Sequence, residues 1–144
     1  MRYLVDTNLI SALAPSKGEN NLALINWLKR SNQSLYLSVI TTAEVSAGIA
    51  KAQRQGAHKK AELLATWWGG IEHLYGHKIL PFDQHCAQAA GKLMDQARAH
   101  RPGFEDLAIA ATAQSHGMTV LTRNLRHFLP LDVSAINPFD DLPD

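Results

Sequence analysis

The chain has 144 residues, of which 46% are hydrophobic and 19% charged, with a formal net charge of +1. This composition excludes a disordered chain, and the length predicts a single domain over residues 1–144 that needs no metal or disulfide to fold. The only cysteine, Cys86, excludes an intramolecular disulfide and is expected to be buried and inert. The sequence shows no charged and apolar leader and no apolar run of about 18 residues, so we expect a cytoplasmic protein with no membrane contact.

The first strand is predicted to end on a carboxylate. Tyr3 to Val5 form an apolar run, and Asp6 follows directly, with Thr7 and Asn8 available to start a helix. Ligands of α/β sheets bind at such carboxyl ends of strands. Asp6 is therefore either a cation ligand or only a helix cap, and this stretch alone leaves both interpretations open.

A second unit repeats the arrangement. Residues 35–40 are apolar and β-favouring, and Thr41 and Thr42 predict the start of a helix that runs to about Gln55. Glu44 lies early in this helix, at the border of its apolar face. A border glutamate is usually solvated, but the place of Glu44 after a strand corresponds to that of Asp6, so a functional role is equally open.

The middle of the chain predicts a loop and two helices. Residues 14–20 contain proline and glycine and are expected to form the loop, while residues 22–30 and 58–74 show helical spacing. The second helix should be interrupted or ended at Gly69-Gly70. Because the adjacent Trp67 and Trp68 cannot both face inward, either one of them is exposed to a partner or both straddle a wide core face.

The C-terminal half continues the alternation of strands and helices. Asp83 is predicted to cap an alanine-rich helix, and Gly117 is predicted to end a later one. A short turn is expected through Phe128. The predicted elements are a strand at 77–80, a helix from 83 to about 100, a helix at 105–113, a strand at 118–122 and a strand at 133–136.

Asp106 lies in the first turn of the helix at 105–113. The helix dipole favours acids there in any protein. However, Ile109 and Ala110, one turn further on, give Asp106 an apolar neighbourhood that a solvated acid does not need. Glu105 points about 100° away around the helix and is expected to face solvent or to play a supporting part.

Three carboxylates thus occupy corresponding places, Asp6, Glu44 and Asp106, with Asn124 as a neutral fourth at a strand end. Like charges in one cleft repel each other and are tolerated when a cation neutralises them. Oxygen ligands without paired histidine or cysteine favour Mg²⁺ or Mn²⁺ over zinc. The seven histidines form no zinc motif, and His73 and His77 are expected to be structural or exposed.

Several motifs carry a family resemblance in order and spacing. They are V-D-T-N at 5–8, S-V-I-T-T-A-E-V-S-A-G at 38–48, E-D-L-A-I-A-A-T-A at 105–113, G-M-T-V-L-T-R-N at 117–124 and N-P-F at 137–139. Over nearly its whole length the chain resembles a PIN-domain ribonuclease of the VapC or FitB type, the toxin of a type II toxin–antitoxin pair.

The resemblance implies a three-layer α/β/α domain with a central parallel sheet, a homodimer, a cognate antitoxin and Mg²⁺-dependent endonucleolytic cleavage of RNA. Asp6, Glu44 and Asp106 match the family's catalytic and metal-binding acids, while Asn124 stands where a fourth acid is often found. The remaining matched residues are hydroxyl and amide groups that support the acids, Thr7, Asn8, Thr42 and Thr122, and the neighbouring basic residue Arg123 as an RNA contact. Weaker candidates for attracting the RNA backbone are Lys51, Arg54 and Arg126.

Three alternative functions are considered, of which the silent binding module belongs to a different functional class. A phosphatase of the haloacid dehalogenase type needs a second Asp where this chain has Asn8. A catalytically silent binding module would not need to retain three acids. A stand-alone RNA-processing nuclease without an antitoxin remains open. For the antitoxin, the resemblance together with the apolar residues of the helix at 22–30 and the Trp67-Trp68 pair predicts a groove that accepts an antitoxin segment.

Overall fold

The central sheet of the computed structural model has five strands: β1 (Tyr3–Val5), β2 (Leu35–Ser38), β3 (Ile79–Leu80), β4 (Thr119–Leu121) and β5 (Ala135–Ile136). All neighbouring strands pair in parallel, in the order β3-β2-β1-β4-β5. The strand order reverses at β1, which has β2 on one side and β4 on the other. Such a reversal opens a crevice at the carboxyl ends of the strands, the usual ligand site of an open α/β sheet.

Residues 1–15 and 22–143 are described, so most of the loop predicted at 14–20 lies outside the described residues. Seven α-helices in the described ranges flank the sheet. They are α1 (Thr7–Ala12), α2 (Leu22–Arg30), α3 (Val39–Arg54), α4 (His58–Tyr75), α5 (Gln84–Gln96), α6 (Phe104–His116) and α7 (Leu125–Phe128). No helix in these ranges has both the length and the apolar character needed to cross a membrane.

Two hydrophobic cores lie between the sheet and the helices, one on each face of the sheet. Alternate side chains of β1 point to opposite faces, so that Leu4 packs with helices α5 to α7 while Tyr3 and Val5 pack with helices α1 to α4. Both faces of the parallel sheet are therefore covered by helices. This arrangement confirms the predicted three-layer α/β/α fold.

The second strand is shorter than predicted, and α3 begins earlier. The strand expected over residues 35–40 ends at Ser38, whose hydroxyl accepts a hydrogen bond from the Ile40 backbone N–H at 3.0 Å. Ser38 is thus the N-cap, and it moves the helix start from the predicted Thr42 to Val39. Because α3 starts three residues earlier, Thr41 becomes a buried helical residue.

The predicted interruption at Gly69-Gly70 is wrong, because α4 runs without a break through both glycines. Each glycine in a helix costs about 1 kcal/mol relative to alanine. Trp68 is buried and Trp67 is partly buried against the same hydrophobic core, so the interpretation in which both residues straddle one face is the correct one. The packing of these large rings offsets the weak helix propensity of the two glycines.

The C-terminal half follows the prediction with shorter strands. The Asp83 carboxylate caps α5 by accepting the Cys86 N–H at 3.0 Å, and Gly117 ends α6 in the left-handed conformation. The helix expected to reach His100 ends at Gln96, and 3-10 turns occupy Arg98–His100 and Gly76–Lys78. The short helix α7 forms where only a turn was predicted. Cys86 is buried, as predicted.

Candidate active site

The end of β1 meets the end of β4. The Asp6 N–H donates to the Leu121 carbonyl oxygen at 2.8 Å, and the Thr122 hydroxyl donates to Asp6 Oδ2 at 2.8 Å, across 116 positions of sequence. Asp6 is only 4% exposed. A buried carboxylate therefore stands at the point where the strand order reverses, and it follows the first strand directly, as the sequence predicted.

Asp6 is both a helix cap and part of this cluster. Its Oδ1 accepts the Thr7 N–H at 2.8 Å, while its Oδ2 receives the Thr122 hydroxyl. Burial raises the pKa of Asp6 to about 6, and the negative charges of Asp106 and Glu44 act in the same direction, whereas the hydrogen bonds from Thr122 and Thr7 oppose the shift. The two interpretations left open by the sequence are therefore compatible.

Glu44 is held by a pair of threonines. The Thr7 hydroxyl donates to Glu44 Oε1 at 2.8 Å and lies 2.8 Å from the Thr41 hydroxyl. Because Thr7 has one hydroxyl proton, Thr41 donates to Thr7. Burial raises the pKa of Glu44, opposed by the Thr7 hydrogen bond and reinforced by the charges of Glu105 and Asp106.

Thr41 replaces Thr42 in this network. Thr42 was predicted to support the acids, but in the described part of the chain it makes no hydrogen bond to them. The early start of α3 turns position 41 toward Thr7, since successive helical residues point about 100° apart. The sequence contains the signal in Ser38, a good N-cap that is also the last residue of β2.

Asp106 projects from the first turn of α6 and is partly buried. Burial raises the pKa of the Asp106 carboxyl group, and the charge of Glu105 acts in the same direction. His127 lowers this pKa, because its Nδ1 lies 3.4 Å from Asp106 Oδ2. His127 is a site residue that the sequence did not indicate, because the short helix α7 that carries it was not predicted. Glu105 is exposed, yet its charge influences both Glu44 and Asp106.

The residues after β4 form the rim. Asn8 lies within 3.3 Å of the Thr122 hydroxyl, and its Oδ1 accepts the Arg123 N–H at 3.2 Å. The Arg123 guanidinium lies 4.4 Å from the centre of the Phe139 ring. The exposed Asn124 reaches the cluster through its backbone, whose N–H donates to Thr122 Oγ1 at 3.0 Å. Thr7, Asn8 and Thr122 thus join one network, whereas the side chain of Asn124 has no hydrogen bond to an acid within the described ranges.

The donors suit a hard cation. Within residues 1–15 and 22–143, no three His, Cys, Asp or Glu side chains are close enough to form a complete set of metal ligands. Zinc sites need such a set, but Mg²⁺ is usually bound through one or two carboxylates together with waters and substrate phosphates. The charges of Asp106 and Glu44 raise the pKa of Asp6, and the charge of Asp106 raises the pKa of Glu44, so a cation among these acids would relieve the repulsion. His73 and His77 are exposed and lie outside this cluster.

The sequence matches a known protein family over most of its length. The PIN domain family model matches residues 3–130. The chain is 35% identical over 141 residues to Toxin FitB of Neisseria gonorrhoeae, covering 96% of this chain and 99% of that protein. It is 34% identical over 140 residues to VapC ribonuclease Y4jK of Sinorhizobium fredii, covering 95% and 97%.

Solved structures show the same fold. The crystal structure of FitAcB from Neisseria gonorrhoeae superposes with a TM-score of 0.82 at 34% identity, covering 95% of this chain and 98% of that one. DNA-bound VapBC from Salmonella typhimurium gives a TM-score of 0.74 at 26% identity, covering 95% and 97%. The chain therefore belongs to the PIN-domain family. Within that family it is of the FitB and VapC toxin type.

Proposed function

We propose that this protein is a Mg²⁺- or Mn²⁺-dependent endoribonuclease, the toxin of a type II toxin–antitoxin pair, which hydrolyses RNA phosphodiester bonds and is inhibited by a cognate antitoxin. The observation that carries the proposal is the convergence of Asp6, Glu44 and Asp106, with raised pKa values, where the strand order reverses. A relative named VapC ribonuclease supports the activity.

In this proposal Asp6 and Asp106 hold the cation, and Glu44 either coordinates it or orients the attacking water. When bound, the ion activates water and neutralises charge that develops on the phosphate. The chain's own contribution is orientation, because Thr122 fixes Asp6 and Thr7 fixes Glu44 through 2.8 Å hydrogen bonds. Removal of a group that orients a metal ligand typically lowers metal affinity or activity by about 10–100-fold.

The antitoxin is proposed to occupy an apolar groove between α1, α2 and α4. The groove has a volume of about 380 Å³. Its main apolar lining residues are Ile10, Leu13, Ile25, Leu28, Trp67, Ile71 and Leu74. Of the residues predicted for this groove, Ile25, Leu28 and Trp67 line it, whereas Leu24 and Trp68 are buried in the core and Leu22 is exposed elsewhere.

An amphipathic antitoxin helix would bury its apolar face in this groove. The solved relatives FitAB and VapBC, each bound to DNA, support a toxin of this kind that is held by a partner protein. A homodimer and a cytoplasmic location complete the proposal, on the strength of the family resemblance.

The decisive experiment is sequencing of RNA ends after brief induction of the protein in cells, together with cleavage of a model RNA by the purified protein. We expect new ends at defined positions, loss of activity with chelator, and recovery with Mg²⁺ or Mn²⁺. Full cleavage in excess chelator would overturn the metal mechanism. No cleavage of any RNA would favour a silent binding module.

Co-expression with the small protein encoded beside this gene tests the partner. We expect a stable and inactive complex. An active nuclease that no neighbouring gene product binds or inhibits would instead identify a stand-alone RNA-processing enzyme.

A further inference from the structure

A cleft of about 640 Å³ opens beside the acids, on the side of Asp106. It is formed by the turn after α5, the start of α6, and the α7 segment with the residues that follow it. The basic lining residues are His100, Arg101, Arg126 and His127, and the carboxylate of Asp106 is the one acidic group that lines it within the described residues.

The two arginines of the cleft are available for a ligand. Arg101 and Arg126 are both exposed, and neither forms an ion pair in the described part of the chain. By contrast, Arg98, only three positions before Arg101, donates to the Asp95 carbonyl at 2.8 Å and lies 3.7 Å from the Asp95 carboxylate. The cleft therefore concentrates two unpaired guanidinium groups next to the catalytic acids.

The backbone presents Arg101 to the cleft in an unusual conformation. Its φ of 47° places it in the left-handed region, and Pro102 follows it. Gly103 then precedes α6 as an N-cap without a side-chain hydrogen bond, and Glu105 and Asp106 stand in the first turn of the helix. The positive charge of the cleft therefore comes from its basic side chains and not from the helix N-terminus. A guanidinium group matches a phosphate through two parallel hydrogen bonds, which an ammonium group cannot do.

We propose that this cleft binds the RNA backbone next to the scissile phosphate, with Arg101 and Arg126 contacting successive phosphates. The inference rests on the proposed function. Asp106 lines the cleft and also belongs to the catalytic cluster. An RNA strand whose scissile phosphate lies at the acids therefore enters the cleft directly on the Asp106 side. His127 borders both regions through its contact with Asp106.

The test measures binding of a single-stranded RNA to the full chain, in an Asp6→Asn background so that the RNA stays intact. Arg101→Gln/Arg126→Gln removes the two cleft charges. Arg30→Gln/Lys59→Gln removes two exposed charges that do not line the cleft and is the matched control. We expect at least about tenfold weaker binding in the cleft variant. The slope of log K against the logarithm of the salt concentration should become less steep by about 1.4, or about 0.7 for each lost phosphate contact.

The control should stay within about twofold of the parent, because distant surface charges are screened. Melting temperatures confirm folding, and the single Arg126→Gln variant, on an exposed position, should show about half of the change in salt dependence. Equal losses in the cleft variant and the control would overturn the inference, since they indicate general attraction only. Unchanged RNA binding with a loss of antitoxin binding would also overturn it.

Parallel cleavage assays with the wild-type protein separate this inference from the proposed function. If the wild type cleaves RNA while the cleft variant binds as well as the control does, only the cleft assignment fails. If the wild type neither binds nor cleaves RNA, both proposals fail.

Discussion

The Thr7 hydroxyl donates a 2.8 Å hydrogen bond to Glu44 Oε1, joining the first turn of α1 to α3 across 37 positions. The same hydroxyl lies 2.8 Å from Thr41 Oγ1. The neutral side chain of Thr7, in the first strand–helix unit, therefore orients Glu44 in the second unit. The position of Glu44 depends on α1 as much as on its own helix.

Replacing the Thr7 hydroxyl should weaken the site without removing an acid. In Thr7→Val a methyl group takes the place of the hydroxyl, so Glu44 loses its hydrogen-bond donor and its pKa rises further. We expect cleavage or Mg²⁺ affinity to fall about 10–100-fold. Initial cleavage rates over a Mg²⁺ titration provide the measurement.

Thr41→Val and Thr42→Val form a matched pair for the same network. The chemical change is identical, but only Thr41 contacts Thr7. Thr41→Val should reduce cleavage, whereas Thr42→Val should change the rate by less than about twofold, as expected for a residue outside the network. A larger loss in Thr42→Val would support the assignment made from the sequence and contradict the structural one.

Asp6→Asn and Asp106→Asn should each abolish RNA cleavage and relieve growth arrest, because each removes a negative charge that the cation needs. Alanine at His73, His77 or Cys86 should leave cleavage largely intact, since these residues lie outside the site. Cleavage assays and colony counts after induction give the two readouts. Loss of cleavage in His73→Ala or His77→Ala would indicate a different metal centre.

The stability of the metal-free protein should depend on pH through Asp6. Its pKa is about 6 in the folded protein against 3.8 ordinarily, so the folded state binds more protons between these values and stability falls as pH rises through them. The loss is about 3 kcal/mol at most. Asp6→Asn cannot titrate, so it should match the wild type near about pH 4 and exceed its stability near about pH 7.

Denaturant unfolding of both proteins in chelator, over this pH range, measures that difference. An Asp6→Asn variant whose stability falls further below that of the wild type as pH rises would show that Asp6 acts as a cap alone, because a capping carboxylate has a lowered pKa.

Asp106→Asn should raise the melting temperature of the metal-free protein, by about 2–4 °C. The pKa of Asp106 is raised by burial and by Glu105, so neutralisation relieves a net penalty although the contact with His127 is weakened. Mg²⁺ should stabilise the wild type more than this variant, because only the wild type keeps the full set of acids. Thermal melts with chelator and with millimolar Mg²⁺ test both statements. A lower melting temperature in chelator, with no response of the wild type to Mg²⁺, would place the metal site elsewhere.

Leu74→Asp should disrupt the antitoxin complex and spare cleavage. Leu74 is 65% exposed and lines the apolar groove, so an acid there is tolerated by the fold but opposes an apolar partner. Leu63→Asp, on the same helix, 50% exposed and outside the groove, is the control. We expect at least about tenfold weaker antitoxin binding for Leu74→Asp alone. Calorimetry with the purified antitoxin measures it, and equal affinities for both variants would remove the groove from the proposal.

The sequence predicted the parts of the site that depend on strand ends. Asp6 and Thr122 each follow a short apolar run, and residues at the ends of adjacent parallel strands must meet. The alternation of strands and helices likewise predicted the layers. These features are local, and their three-dimensional consequence is fixed by the topology of a parallel sheet.

Other features depended on tertiary packing. Ser38 both ends β2 and caps α3, and the apolar run that continues past it concealed the second role, which its hydrogen bond with Ile40 shows. Gly69 and Gly70 suggested an end that the burial of Trp68 overrides. The cleft at Asp106 combines residues from the turn after α5 with residues from α7, a helix too short to show a periodic pattern.

The central place of β1 in the sheet also determines when the site can form during synthesis of the protein. Synthesis delivers the N-terminal part of a chain first. Asp6 therefore leaves the ribosome 116 residues before Thr122, whose hydroxyl donates a hydrogen bond to the Asp6 carboxylate. The strand β4 must also be synthesised before it can pair with β1 on that side of the sheet. A chain that stops before Asp106 holds Asp6 without that acid and without the Thr122 hydroxyl. The sheet order thus delays formation of the active centre until nearly all of the protein has been synthesised.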